Sequence, residues 1–552
     1  MKFDDIFKEI GEFGPYQRRN YGLLIVGWML TGPTMVLSVF VLGLPNHRCQ
    51  IPGLTNDTYA IQGPQHADLI NKYIPLDKDG EYDQCSIYEI NQSPMEFDNS
   101  SQPINASTIK CSSWVYSKDI FHDTFVTKEN LVCDDKYKIS LAKTIFFAGV
   151  LTGSFMFGMI SDVFGRRKTL LIGILAELVT SLALAFSYNF VMFVLIRFCT
   201  GAACVGLFMT TYVLGMEWVG PSARKYASLI FGFFGPLGGL YFICVSYVVR
   251  DWFWIIIAMA LPFAINIILW CFIPESPRWL FSTGRTKEAV RLIEKAAKYN
   301  KREISSKILE EVTIEKKETG KIWLLFSHRR LGIRTIIIFY NWMVASMVVY
   351  GLSLNTGILY GDYYINFLLV VLVEFPGNVL PLLSVDRIGR KKSHFIYMAA
   401  GGTACLSTIF TVNFGGKDLQ PLTTALAMVG KMFATAAFAT IYILSAELFP
   451  TAIRNAGMGS SSCWARVGGM ISPFIADTAD LVGGTSGTAI PLVIFGGACL
   501  IAAGLTLILP ETLNKMLPET IEDGKNYTTN EYEERSKQYM KGLEKEIEST
   551  RF

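Results

Sequence analysis

Asp162-Val163-Phe164-Gly165-Arg166-Arg167-Lys168 closes one apolar run, and Asp386-Arg387-Ile388-Gly389-Arg390-Lys391-Lys392 closes another 224 residues later. Both stretches carry an acid, a glycine and a basic cluster in the same order. Working outward, Glu217 and Arg224 stand seven residues apart, as do Glu447 and Arg454, at an offset of 230. Pro274-Glu275 returns as Pro510-Glu511 at an offset of 236. Three motifs in one order at nearly one offset mark an internal duplication, and such a repeat governs the reading of the whole chain.

The apolar runs around these motifs are long. A helix needs about 20 apolar residues to cross roughly 30 Å of hydrocarbon. Twelve windows qualify, near 21–43, 141–161, 169–188, 190–213, 228–249, 253–273, 334–354, 363–385, 394–413, 420–444, 457–480 and 488–509. The fold expected is therefore all-α: a polytopic membrane protein of two six-helix halves, repeated in parallel about an axis along the membrane normal. Composition agrees, since 18% of residues are charged and 51% hydrophobic, whereas soluble domains carry about 25% charge. That deficit excludes disorder, collagen and an ordinary soluble enzyme. A net charge of +3, from 50 basic and 47 acidic residues, is too small and scattered for a nucleic-acid binder. The first 20 residues mix acids with bases and lead into an apolar run too long for a cleaved signal, so the first span reads as a signal anchor.

Short-loop Lys and Arg set orientation. They cluster at Arg18-Arg19, Arg166 to Lys168, Arg224-Lys225, Arg387 to Lys392 and Arg454, all on one side, which is expected to be cytoplasmic. The division that follows is a cytoplasmic N-terminus 1–20, a first half 21–273, a cytoplasmic linker 274–333, a second half 334–509 and a cytoplasmic tail 510–552. The first half contains an extracellular loop, 43–139, with Cys49, Cys85, Cys111 and Cys133 and the sequons at Asn56, Asn91, Asn99 and Asn105. Disulfides and N-glycans both belong to an extracellular, oxidising setting, consistent with the plasma membrane. Four cysteines permit three pairings. A metal site is the poorer reading, because no Cys-x-x-Cys occurs. Asn91 is the weakest sequon, since Pro94 follows it.

At this point the chain resembles the major facilitator superfamily and, within it, the organic cation, carnitine and organic anion transporter family, solute carrier family 22. The resemblance rests on Gly158 to Lys168, Pro274-Glu275-Ser276-Pro277-Arg278-Trp279-Leu280, Ala446-Glu447-Leu448-Phe449-Pro450-Thr451-Ala452-Ile453-Arg454-Asn455, Gly11 to Gln17, Asn130 to Cys133 and the Cys-bearing first loop. It implies secondary transport by alternating access, with no catalytic residue, no metal and no cofactor beyond a coupling ion, sodium or proton. One departure is that many members carry six cysteines in the loop. The family's bridge pattern is therefore not carried over.

Asp162, Arg166, Glu217, Arg224, Glu275, Arg278, Asp386, Arg390, Glu447, Arg454 and Glu511 sit at cytoplasmic helix ends, where the resemblance implies a charge network that gates the halves through interdomain ion pairs. The plainer reading is that the bases only enforce topology. Ionisable groups at mid-membrane depth are costly and usually face a cavity or a partner. Five qualify: Glu177, Arg197, Glu374, Lys431 and Arg466. In the superfamily's fold the third helix is peripheral, which makes Glu177 a local packing or surface residue, and Arg197 resembles the fourth-helix motif, with a structural or a coupling role. Glu374 and Arg466 remain, either as ligands for the two ends of a zwitterion or as an ion pair with each other. Tyr212, Trp342, Tyr350, Phe438 and Tyr442, with Lys431, complete the candidate substrate site, the aromatics offering cation–π faces to an amine.

An enzyme is the weak alternative: no Gly-x-Ser-x-Gly elbow and no P-loop occurs, and the chain has only five His. A channel or multi-pass receptor is the rival of a different class, and the duplication fits a rocking transporter better. Within the family, simple-cation carriers resemble one another in having an acid where this chain has Arg466, two residues before Gly468-Gly469. Gly351 to Thr356 and Val429 to Phe438 look more like the carnitine and invertebrate cation branches than the anion branch. A small organic cation or zwitterion, such as carnitine, betaine or another amine, is the expected substrate, with an organic anion as alternative.

Overall fold

The structure, a computed structural model, describes residues 6–76, 80, 82–89, 107–304, 322–354, 356–358, 360–414, 418–482, 487 and 489–549. Asn91, Asn99 and Asn105 lie outside the described residues; Asn56 is exposed. The long apolar runs form helices in chain order. The first is Pro15–Val36, continued by Ser38–Val41, followed by Tyr137–Phe164, Arg166–Ala185, Phe190–Glu217, Arg224–Val249 and Trp252–Trp270. The second half has Arg329–Leu354, Tyr363–Leu372 running into Glu374–Ile388, Arg390–Phe414, Gln420–Leu448, Arg454–Val482 and Ala489–Thr506. Among the described residues, 11 of these are long and apolar enough to cross a membrane. The eleventh in order, Arg454–Val482, falls short because Ser460, Ser461, Ser462, Arg466 and Asp477 dilute its apolar residues.

The spans start earlier than expected at both halves, at Pro15 and at Arg329, because the polar residues there already take up helical backbone. Helical segments also occupy the linker, at Pro277–Ser282 and Thr286–Tyr299, and the tail, at Ile521–Asn526 and Asn530–Ser549. The duplication is carried into backbone geometry. Gly165 and Gly389, which turn the second helix into the third and the eighth into the ninth, adopt φ of +95° and +110°. L side chains avoid that region, and a Cβ at either position would strike the carboxylate of Glu275 or Glu511. Helices two and four pack backbone to backbone: a Cβ at Gly201 would overlap the Phe146 carbonyl, and one at Gly153 would overlap Ala202.

The loop 43–139 is a small separate layer. His47–Cys49 pairs antiparallel with Trp114–Tyr116, and Ser86–Tyr88 with Thr108–Lys110. Of the three pairings open in sequence, the structure has Cys49–Cys111 and Cys85–Cys133. Arg48, Asp57 and His66 form a buried charged cluster beside them, with Arg48 Nη1 3.0 Å from Asp57 Oδ2 and His66 Nε2 3.0 Å from Asp57 Oδ1.

Hydrogen bonds between the halves gather on the side that carries this loop. Thr144 Oγ1 donates to Met470 O at 2.9 Å, Lys143 Nζ to Leu354 O at 3.4 Å, Tyr363 OH to Val39 O at 2.6 Å and Tyr364 OH to Ile120 O at 2.9 Å. One more sits deeper, Asn378 Nδ2 to Gly232 O at 3.1 Å. The segments flanking the first and twelfth helices lie on the opposite side: Glu12 O accepts from Gly220 N after the fourth helix, and Pro518 O from Thr451 N after the tenth.

Candidate functional site

Between the halves lies a cavity of about 280 Å³, walled by helices one, two, four, five, seven, eight, ten and eleven. Most of its wall is apolar or aromatic, including Trp28, Phe147, Phe208, Phe231, Tyr350, Phe438 and Tyr442. Two charged side chains line it, Glu374 and Arg466. Four of the aromatic and charged residues singled out in sequence are thus brought together around Glu374: Tyr350, Phe438, Tyr442 and Arg466.

Glu374 and Arg466 do not pair with each other. Lys431 is fully buried behind the wall and places Nζ 3.0 Å from Glu374 Oε1. The same ammonium donates to Ser353 Oγ at 2.6 Å and to Val349 O at 2.9 Å. An ammonium has three protons, so Lys431 has none left for a substrate; it tethers helices seven, eight and ten. This corrects the expectation that Lys431 contacts substrate directly. Glu374 stays 27% exposed and lines the cavity.

Arg466 is held differently. Its Nη1 donates to Ser462 O one turn back at 3.2 Å, its buried Nε has no partner, and Tyr350 and Tyr442 stand beside it. No carboxylate among the described residues pairs with it. A guanidinium in this setting presents a fork that a planar anion can accept.

Trp342 and Tyr212, both expected at the site, lie off the cavity wall. Trp342 is fully buried, its Nε1 donating to Ser445 Oγ at 2.8 Å, and it packs 4.1 Å from the Tyr442 ring and 5.9 Å from Phe438. Tyr212 is 37% exposed, bonded to Ser228 Oγ at 3.1 Å and 5.9 Å from the Trp28 ring. The two sets are related by the duplication. Phe208 and Phe438, and Tyr212 and Tyr442, each stand 230 residues apart, the offset already carried by Glu217 and Glu447. Trp28, stacked 4.0 Å from Phe208, takes the place that Trp342 has beside Phe438. Sequence reasoning missed Trp28, Phe147, Phe208 and Phe231. Only Phe208 carried a usable signal, its offset from Phe438.

The charge motifs build two matching clusters, one per half. Arg166 bonds Asp162 at 2.9 Å and Glu217 at 3.3 Å; Arg390 bonds Asp386 at 3.4 Å and Glu447 at 3.1 Å. These pairs close within a half and do not join the two halves. Glu275 accepts from the N–H of Arg166 and Arg167 at 2.9 and 3.0 Å, and Glu511 accepts from those of Arg390 and Lys391 at 2.8 and 3.3 Å. Each carboxylate caps the exposed N–H groups and positive end of the following helix. Arg454 Nε donates to Phe449 O at 3.3 Å, and Arg224 begins the fifth helix. Ser276 caps the short helix in which Arg278 sits.

Two remaining membrane charges lie outside the cavity wall. Glu177 is fully buried, which leaves packing rather than surface exposure of the two readings open in sequence, and Arg197 is buried with Nη2 2.7 Å from Ser38 Oγ.

Residues 105–523 match the family described as sugar (and other) transporter. An organic cation transporter protein of Drosophila melanogaster is 36% identical over 540 residues, 96% of this chain and 95% of that one. The chain belongs to solute carrier family 22 of the major facilitator superfamily. Further solute carrier family 22 relatives include organic cation/carnitine transporter 2 of Homo sapiens, 34% identical with 94% and 93% of the two chains covered. Solute carrier family 22 member 7 of Homo sapiens is 33% identical, covering 95% and 96%. Among solved structures, the inward open conformation of a xylose transporter from E. coli aligns with a TM-score of 0.57 at 16% identity over 93% of this chain and 99% of that one, a likeness of fold. This solute carrier family 22 member is a multi-pass membrane transporter of organic solutes, not an enzyme.

Proposed function

We propose that the protein carries small organic cations or zwitterions, of the carnitine, betaine or amine type, across the plasma membrane by alternating access, with both termini cytoplasmic. The observation that carries this reading is Arg466: a guanidinium without a carboxylate partner, on the wall of an aromatic-lined cavity whose other charge is Glu374. A substrate carboxylate meets the guanidinium fork, while its amine meets aromatic faces and the carboxylate of Glu374. Relatives named for organic cations and carnitine support the same class.

Alternating access draws support from the duplication and from the motif clusters, which brace each half as a unit that can rock about the central cavity. The present cross-half bonds hold the loop side together, and on this reading the Asp162–Arg166–Glu217 and Asp386–Arg390–Glu447 clusters re-pair when the opposite side closes. Coupling is to sodium or to protons.

A second reading, an organic anion as substrate, is favoured by one observation: Lys431 compensates Glu374, leaving the positive charge of Arg466 in excess at the wall. Uptake of labelled carnitine, a small quaternary cation and an aromatic anion, each with and without sodium, decides between the two. Preloaded substrate accelerating uptake separates a carrier from a channel. Preferential uptake of the anion overturns the first reading.

A further inference from the structure

Behind the cavity, in the first half, helices one, three and four enclose a second charged site. Glu177 of the third helix has 0% exposure; the Thr34 hydroxyl stands beside its carboxyl group, and no N–H of Arg197 reaches either oxygen in hydrogen-bonding geometry. Arg197 of the fourth helix is 1% exposed; its Nη2 reaches Ser38, its Nη1 has no acceptor, and its guanidinium lies 4.2 Å over the Phe146 ring. Thr34 of the first helix and Cys204 of the fourth stand beside the pair, Cys204 donating to Thr31 O at 3.6 Å.

With a single hydroxyl beside it, an ionised carboxylate is costly in such a place, because loss of hydration costs several kcal/mol or more unless enough donors replace the water. A neutral carboxylic acid costs far less. The arrangement also holds the alternative: the unoccupied Nη1 of Arg197 is a donor ready for a carboxylate. Each member of the pair thus lacks what the other supplies. We propose that Glu177 is a proton-binding carboxyl, protonated in the conformation seen here and ionised against Arg197 in another, so that one proton is taken up and released per conformational cycle. On ionisation the O–H bond breaks, its electron pair stays on the carboxylate, and the proton passes to solution. The inference rests on the chain being a transporter and is independent of the identity of its substrate.

Other groups around the third helix do not compete for this role. From the fourth helix, Cys204 stands beside Glu177 together with Arg197. The sixth helix has no ionisable residue between Trp252 and Trp270, and the first has none from Trp28 to Val41. In the second helix Lys143 turns to Leu354 of the other half and Asp162 to Arg166. The link to transport runs through adjacent rings. Phe146 supports Arg197, and Phe147 lines the cavity and packs 4.9 Å from Tyr350. Movement of the wall therefore shifts the surface on which the guanidinium rests.

Infrared difference spectroscopy on the full-length protein in lipid vesicles, without substrate, tests protonation directly. A buried carboxylic acid band at about pH 7 is expected in the wild type and should vanish in Glu177→Gln. If Glu177→Gln does not accumulate, Glu177→Asp serves, by shifting the band. Carnitine or tetraethylammonium uptake, whichever is carried, should change by about fivefold or more between about pH 6 and about pH 8 and become flat in Glu177→Gln. No acid band in the wild type, a band unchanged in the variants, or identical uptake profiles overturns the proposal. A protein that carries neither probe counts against the substrate reading alone, and the infrared band still decides Glu177.

Discussion

Lys431 Nζ sits 3.0 Å from Glu374 Oε1 with its own side chain fully out of solvent. The carboxylate that sequence offered as a partner for Arg466 is therefore already compensated from the tenth helix. Charge at the cavity wall depends on this buried contact.

Lys431→Ala strands Glu374 and the Val349 and Ser353 acceptors. Loss of one partner from a buried pair costs about 3–5 kcal/mol, so thermal unfolding in detergent should shift clearly downward. The double variant Lys431→Met with Glu374→Gln should recover part of that loss. Additive losses in this double-mutant cycle mean the contact is not energetically coupled.

Arg466→Lys should weaken, and Arg466→Ala nearly abolish, uptake of a carboxylate-bearing substrate, because Lys lacks the two-pronged donor geometry. Truncating a desolvated charge partner costs about 2–5 kcal/mol. A quaternary amine without a carboxylate should be much less affected. Unchanged apparent affinity of Arg466→Ala for carnitine would return Arg466 to a packing role.

Asp162→Asn and Glu447→Gln should slow transport at near-normal surface expression, since their bonds to Arg166 and Arg390 lie at the helix ends and outside the packed core. Glu511→Gln acts on structure instead. It weakens the cap at Arg390 and Lys391 and should cost about 1 kcal/mol of stability. Equal losses of expression and uptake in all three would favour a purely structural role for the motifs.

In the loop, burial alone would raise the Asp57 carboxyl, but hydrogen bonds from Arg48, the Ile51 N–H and His66 outweigh it and hold the pKa below the ordinary value. A depressed carboxylate contributes stability above its unfolded pKa of about 3.9, and that stability is lost as pH falls through the folded value. Limited proteolysis should find the loop protected at about pH 6 and progressively cleaved below about pH 4. Asp57→Asn should be cleaved at both.

Glycosidase should increase gel mobility of the protein made in animal cells if 43–139 faces outside. The increase should disappear when Asn56, Asn91, Asn99 and Asn105 are all replaced by Gln. A persisting shift contradicts the orientation.

The fold could be read from the chain because its two governing signals are local. Apolar length dictates a spanning helix whatever it packs against, and the repeated Asp162–Lys168 and Asp386–Lys392 motifs need no partner to be seen. The same holds for Gly165 and Gly389, where the turn itself demands glycine. Helix starts at Pro15 and Arg329 were less legible, since polar residues at a membrane surface extend a helix without adding hydropathy.

Sequence alone determined a two-half, twelve-span transporter of solute carrier family 22 and the residue types that serve it. Only tertiary structure decided which residues meet. Whether Glu374 faces Arg466 or Lys431, whether Trp342 lines the cavity or backs it, and whether Glu177 is exposed or buried all depend on how helices are rotated and packed. Contacts between residues far apart in the chain follow from that rotation, and no hydropathy pattern records it to within the few ångströms over which an ion pair forms or fails.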